Sequence, residues 1–490
     1  MSQYNRDIKE NAKRFYTLAH KLEQVLMHFS NSKYVVCNGT LNLSRNHPEY
    51  LGLWKPIIYK KVLSFDDELT LVFHLFRSFI YFFVNIFLEV FSFKKKSNLT
   101  RPSLGQVKYA FISHSLSKDY ELNDPYFGNL INILSEKQDN VLRILIPHQK
   151  ISKKALSIVP IHTHFLINRL KKFDIVSYFI LTFYFLFQLI KYCLKNDFTI
   201  YEVMIIIVGQ LDSFKLFKTV CEIENIIATQ KPRNLVITFE GNVLEKAVFL
   251  LCSKYKVRSY AYQHAPIIEG QFSIFRDLNN NLVPDIILSS GPYLTSKFKS
   301  RLRSKSKIIT LGSPKHDQMV LGGQSKQSES VLLIPDGNIL SINLFVDLAI
   351  KMSLHNDSRL ILIRSHPLVQ NELESTLAKI KLWRYENVIL SNSFLTEDLK
   401  ISRWVIYQNS AVSIQAAQNG CQLIYFSDPL ANINPLWEMD FLYREAKSHF
   451  DIEQIIAGEI RKTQEEVLYA QKIANLFFSP FNPKKFLEES

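Results

Sequence analysis

Residues 359–369 read RLILIRSHPLV, and the reading of this stretch decides the fold. Leu360, Ile361, Leu362 and Ile363 make a short apolar run of the kind buried on both faces of a sheet. Arg364, Ser365, His366 and Pro367 follow without a break. In open parallel sheets, ligands bind beyond the carboxyl ends of the strands. Pro367 stops the strand and sets a new direction. That places His366 near a cleft as a hydrogen-bond donor to phosphate, with Arg364 as a second donor.

The same design recurs along the chain. VKYAFISHSL (107–116), VLRILIPHQ (141–149), NLVITFEGN (234–242), RSYAYQHAP (258–266), DIILSSGPY (285–293) and KIITLGSPK (307–315) each run from β-rich apolar residues into Ser, His, Glu, Gly or Pro. A second series reads SVLLIPDGN (330–338), RLILIRSHP (359–367), ENVILSNS (386–393), RWVIYQNS (403–410) and CQLIYFSDP (421–429). Helix-like segments such as LEKAVFLLCSKY (244–255) lie between them, and alternating strand and helix predicts a parallel α/β sheet. LGGQSKQSES (321–330) has no apolar period and reads as a linker. The expected architecture is α/β. Two Rossmann-like domains face a cleft, 1–320 and 330–490, joined by a 321–329 linker. Extra helices stand at the N-terminus, beginning with an amphipathic helix over 3–30.

The 490 residues carry a formal charge of +14, which favours anionic partners: nucleic acid, anionic lipid or phosphorylated substrates. Nucleic acid is set aside, because the basic residues are not interleaved with a stacking platform and no recognition motif is present. The densest basic run, KFKSRLRSKSK (297–307), reads as a solvated face or as a membrane-attracting one. The five cysteines are scattered with no C-x-x-C, so neither zinc nor a disulfide framework is indicated, and a reducing cytoplasm fits. The opening MSQYNRDIKENAKRFY is too polar for a signal peptide. Two Phe-rich stretches, 69–93 and 175–190, are flanked by lysines, among them Lys94, Lys95, Lys96 and Lys191. Their simplest reading is a pair of buried core helices; the alternatives are helices lying on anionic lipid or crossing it.

Further candidate residues sit at other strand ends. In YQNSAVSIQAAQNG (407–420), Ser410 is placed to cap a helix whose N-terminus suits phosphate, Ser413 adds a hydroxyl and Gly420 stops the helix. An ordinary capped helix accounts for the same pattern. LGSPKHD (311–317) offers Ser313 and Lys315 at the hinge, and IPDGN (334–338) offers Gly337, where backbone can approach a ligand.

Taken in order, TFEGN, FEGNVLEKA, AYQHAPI, DPYFGNL, RSHP and QNSAVS resemble glycosyltransferases of the GT-B fold. The likeness is strongest to bacterial surface-carbohydrate biosynthesis proteins and to sialyl- and Kdo-type transferases, and it spans roughly residues 107–430. The resemblance implies a nucleotide-sugar donor, CMP-linked in many such families, and a glycan or lipid-linked acceptor. It implies no further cofactor. Glu240 would be the general base, with His264 as an alternative cleft residue. Gly241 and His114 would lie on the acceptor side. Ser313, Lys315, Gly337, Arg364, His366, Pro367, Ser410 and Ser413 would serve the donor nucleotide and its phosphate. The usual motif has two adjacent acids, whereas Phe239 precedes Glu240 here; Glu245 is expected on a helix surface. His264 also fits a satisfied, partly buried histidine. No D-x-D stands at a strand end, so metal-independent chemistry is expected. The protein is expected to be cytoplasmic and peripheral on the inner membrane. A CDP-alcohol phosphotransferase, a UDP- or GDP-sugar-dependent transferase and a non-enzymatic membrane scaffold are the alternatives.

Overall fold

The computed structural model describes residues 3–41, 54, 57, 65–91, 107–115, 124–137, 140–147, 163–166, 172–268, 271–275, 278–302, 305–316, 330–337, 339–366, 373–376, 385–427, 434–458 and 464–489. Among the described residues, thirteen strands fall into two sheets. The first contains β1 (Tyr109–Ser115), β2 (Val141–Pro147), β3 (Thr163–Phe165), β4 (Asn234–Thr238), β5 (Arg258–Gln263), β6 (Ile286–Ser289) and β7 (Lys307–Thr310), in the order β3-β2-β1-β4-β5-β6-β7. The second contains β8 (Val331–Ile334), β9 (Ile361–Ile363), β10 (Val388–Leu390), β11 (Trp404–Tyr407), β12 (Gln422–Phe426) and β13 (Tyr443–Ala446), in the order β10-β9-β8-β11-β12-β13. Every pairing within them is parallel. The two Rossmann-like sheets expected from the sequence are therefore present. Pro367 and the 321–329 linker lie outside the described residues.

The period of two along each strand divides the first core cleanly. Ala110, Ile112, Leu235 and Ile237 face one helical layer, while Tyr109, Phe111 and Val236 face the other. The first layer includes the amphipathic helix Gln3–His28, whose Phe15, Leu18, Leu22, Val25 and Leu26 are buried at helical spacing. The opposite face is closed partly by a distant segment. Helix Pro483–Glu489 delivers Phe486, fully buried, against Tyr109, Phe111 and Tyr260. The stretch assigned by sequence to the second domain, 330–490, thus gives up its last helix to the first sheet. Apolar packing explains this better than chain order: a parallel sheet needs cover on both faces.

The segment leading to that helix is tied to the ends of β6 and β7. Ser479 N–H donates to Ser290 O (3.0 Å), Ser313 N–H to Ser479 O (2.9 Å) and Asn482 N–H to Leu311 O (2.8 Å).

The Phe-rich stretches form helices Phe65–Phe91 and Lys172–Lys195. Each buries one flank against the first core and exposes the other. Phe82 packs on Tyr178, Phe179 and Phe183 between them, while Phe73, Phe76, Phe87 and Phe187 are exposed.

Replacing Phe486 with Ala empties a fully buried aromatic site, so urea unfolding should show a loss of ~3–5 kcal/mol. An unchanged midpoint would mean that this helix only rests on the surface.

Candidate functional site

β1 and β4 lie side by side, yet the chain leaves them in opposite directions: β1 toward β2 and β3, β4 toward β5, β6 and β7. Their carboxyl ends flank a topological switch point, where open sheets bind ligands. β1 ends in Ser113, His114 and Ser115; β4 runs into Phe239, Glu240 and Gly241. Gly241 has φ +81°, and a Cβ there would fall 2.6 Å from the Ile274 amide nitrogen. Glycine is what allows the chain to turn at this point.

The turn is held from below. Glu245, at the third position of helix Val243–Tyr255, accepts hydrogen bonds from Glu240 N–H (2.9 and 3.0 Å) and Asn242 N–H (2.8 Å). It is buried, which corrects the surface position expected from sequence. Its place in a capping box turns the side chain back toward the helix start. Burial pushes its carboxyl up to about 8, and the nearby Glu240 charge adds to this; the backbone donors and Lys246 oppose it. Lys246 Nζ, also buried, donates to Gly241 O. Gln271 Nε2 donates to Glu240 O (3.0 Å). With its backbone fixed from three sides, the Glu240 side chain remains partly exposed.

His264, just past β5, comes to 3.4 Å of Glu240 Oε1 through Nε2. Burial holds its imidazole well below the ordinary value, with the charges of Lys315 and His114 adding to the effect. A neutral ring with Nε2–H toward Glu240 fits both facts. Tyr126 stands edge-on to the ring at 4.7 Å. Its loop is built on buried Asp124, which accepts from the N–H groups of Tyr126 (2.9 Å) and Phe127 (3.1 Å), from Ser113 Oγ, and from Arg143 Nε (3.0 Å). Lys315 Nζ reaches His264 O (3.5 Å) and lies over Phe478. Burial brings Lys315 down to about 8, against the attraction of Glu240. Glu240, His264, His114 and Lys315 therefore gather at one place, so Lys315 joins the carboxylate end of the site. Ser313 is buried, and its Oγ accepts from Lys315 N–H (3.2 Å), which gives it a part in shaping that loop.

The second sheet has its own switch point between β8 and β11. The loop after β8 leads into helix Ile339–His355, whose N-terminus carries a positive dipole end. Gly337 lies against His366: a Cβ there would sit 3.1 Å from Nδ1. Burial lowers the His366 pKa, and the Asp336 charge opposes this. Asp336 N–H donates to Ser341 Oγ (2.8 Å), and Ser341 Oγ to Gln408 Oε1 (3.2 Å), linking the β8 and β11 loops. Ser410 Oγ accepts from Val412 N–H (3.3 Å). The N-cap of helix Val412–Gln418 is Ala411, one residue later than the Ser410 cap expected from the sequence. Ser413 is buried, and its hydroxyl donates to Ser410 O (2.8 Å). Arg364 is engaged within its own half. Its Nη1 donates to Asp398 Oδ2 (2.6 Å) and Ser393 O (2.9 Å), so the guanidinium ties the β9 and β10 ends together. The two halves meet beside the first cluster, where Trp437 Nε1 donates to Ile267 O (3.2 Å).

Sequence reasoning missed Tyr126, Asp124, Arg143, Lys246 and Gln271. The DPYFGNL run was the available signal for the first two. Among the described residues no group of three or more His, Cys, Asp or Glu side chains is placed to hold a metal ion.

No family model matches the sequence, and no curated protein matches it. Solved structures show a likeness to the chain at low identity. A putative UDP-N-acetylglucosamine 2-epimerase from Listeria monocytogenes is 11% identical, with 79% of this chain and 98% of that one covered at a TM-score of 0.45. The S. aureus MnaA–UDP structure is 11% identical, covering 78% and 95% at 0.49. Acinetobacter baumannii MurG is 9% identical, covering 78% and 99% at 0.44. The assignment to the α/β class with two Rossmann-like domains, the GT-B arrangement, rests on the two parallel sheets described above.

A histidine kept neutral by its fold destabilises that fold in acid. As pH drops below ~6.5, the unfolded chain takes up a proton that native His264 refuses. The stability gap between wild type and His264→Asn should therefore narrow from about pH 7.5 to about pH 5.5 in urea titrations. A constant gap would mean that the native ring titrates like a free one.

Proposed function

We propose that this protein is a glycosyltransferase that moves a sugar from a nucleotide donor to a glycan or lipid-linked acceptor. One observation carries the reading. A partly exposed carboxylate, Glu240, is fixed at the switch point of one sheet with His264 and Lys315 beside it. The switch point of the other sheet brings together Gly337, His366 and a helix N-terminus.

In this reading Glu240 is the general base. It takes the proton of an acceptor hydroxyl as that oxygen attacks the anomeric carbon. His264 positions the carboxylate through Nε2–H. The bond from the anomeric carbon to the nucleotide phosphate breaks, and negative charge grows on the leaving phosphate. His366 and the backbone N–H groups at the start of helix Ile339–His355 are the donors proposed to meet it. The Ser410 loop, joined to the β8 loop through Gln408 and Ser341, forms the adjoining wall. No metal is invoked for these steps. The CMP-linked donor implied by the sequence resemblance is the first to test, and the site is read as working at the cytoplasmic face.

The test is a thermal-shift panel with CMP, CDP, UDP and GDP, followed by kinetics on two variants. A ligand specific for the native state stabilises it by ~2.7 kcal/mol at 100 times its Kd. His366→Ala should weaken the stabilising nucleotide ~10-fold, the equivalent of one lost hydrogen-bonding group. Glu240→Gln should retain the shift while kcat falls ~10²–10⁴-fold. Full activity in Glu240→Gln would remove it as the base. Transfer of an alcohol phosphate from a CDP-alcohol would replace glycosyl transfer with phosphotransfer. No shift with any of the nucleotides would overturn the donor assignment.

A further inference from the structure

The helices Phe65–Phe91 and Lys172–Lys195 are long and apolar enough, by length and composition, to cross a membrane. Their packing points elsewhere. On Phe65–Phe91, Leu71, Ser78 and Phe82 are buried, and Leu75, Phe79 and Ile86 pack against the core. The opposite side presents Leu69, Val72, Phe73 (62% exposed), Phe76 (64%), Ile80, Phe83, Phe87 (60%) and nearby residues to the outside. The neighbouring helix adds Val176, Ile180, Tyr184 and Phe187 (65%). One flank of each helix is thus committed to the folded body along its length, and the other is a largely apolar strip that Arg77 interrupts on the first helix. A soluble monomer rarely exposes apolar patches of this extent unless they bind something.

Charge narrows the choice of what covers it. Lys191 and Lys195 are exposed at the end of the second helix, Arg77 is exposed in the middle of the first, and Lys94, Lys95 and Lys96 follow the first helix in sequence. Two carboxylates that would oppose an anionic surface are engaged with the body: Glu68 with Tyr201 Oη, and Glu89 with Lys218. Asp66 is exposed at the first helix's N-terminal turn, where the helix dipole favours it. The chain as a whole is +14. A second copy would bring like-charged rims together, whereas anionic headgroups match them.

We propose that this helix pair is an in-plane membrane-docking face, its exposed aromatic and aliphatic side chains entering the boundary of an anionic bilayer and its basic rim lying among the headgroups. This goes beyond the proposed catalytic reading and rests on different residues.

The test uses the full chain. Vesicles of phosphatidylcholine with about 30% phosphatidylglycerol should carry the protein upward in a flotation gradient, and pure phosphatidylcholine should carry less. The triple variant Phe73→Glu, Phe76→Glu, Phe87→Glu should partition at least ~10-fold more weakly while keeping its thermal midpoint, because the replaced side chains are exposed. Lys191→Glu with Lys195→Glu should reduce the salt-sensitive part of binding. Depth is read by quenching of Phe73→Trp and Phe87→Trp with brominated lipids. The two positions are ~21 Å apart along the helix axis, so similar depths support in-plane docking. Depths differing by most of that distance would overturn it in favour of a span. Failure to float, undiminished flotation of the triple variant, or a dimer in lipid-free solution that protects Phe73 and Phe87 would overturn the proposal.

Discussion

Three backbone hydrogen bonds fasten a late segment of the second half to the first sheet. Ser479 and Asn482 bond to the ends of β6 and β7 through Ser290, Leu311 and Ser313. Backbone pairs of this kind do not depend on side-chain identity, and they are costly to leave unmade in a buried place. Ser290 Oγ adds a bond to Phe477 O (3.1 Å). The same crossing brings Phe478 under Lys315, so the segment that joins the halves also sets the position of a cation in the candidate site. Trp437 and Ile267 make a second junction close by.

Around that frame the first cluster follows a consistent electrostatic logic. Two carboxylates, Glu240 and Glu245, stand five residues apart in very different surroundings. Glu245 is spent on backbone donors and spaces the turn; Glu240 is left with an open side chain. Lys246 and Gln271 hold the two carbonyls of the turn, Gly241 O and Glu240 O. These contacts fix the Glu240 backbone and leave its carboxylate accessible, as its proposed role of general base requires. The second cluster is lighter in charge. It relies on a helix N-terminus, a histidine and close backbone approach, a combination suited to a ligand that brings its own negative charge.

Much of this was legible in the sequence because short apolar runs ending in polar residues are what buried parallel strands look like. Eleven such runs became β1, β2 and β4 to β12. β3 and β13 were not legible: Thr163–Phe165 is three residues long, and Tyr443–Ala446 is an edge strand carrying Arg444 and Glu445. Glu240, His264 and His366 lie at strand ends, where the apolar runs in the sequence put them. Contacts with partners elsewhere in the chain were not legible in that way. Arg364 finds Asp398, Glu245 folds back on its own helix start, and Lys315 meets the carboxylate cluster. Periodicity reports which side of an element is apolar. It does not report whether protein or something else will cover that side, and for that reason the sequence leaves open whether the two Phe-rich helices are core or membrane-facing.

The buried place of Phe486 also orders events in time. β1, which Phe486 covers, is complete hundreds of residues before that aromatic leaves the ribosome. Even β7, the last strand of the first sheet, precedes it by about 175 residues, roughly ten to thirty-five seconds of synthesis at ordinary rates. Through that interval Tyr109, Phe111 and Tyr260 lack the part of their cover that Phe486 supplies. The nascent first sheet therefore has an exposed aromatic face that a chaperone can hold. Its closing step is set by translation of the far end of the chain.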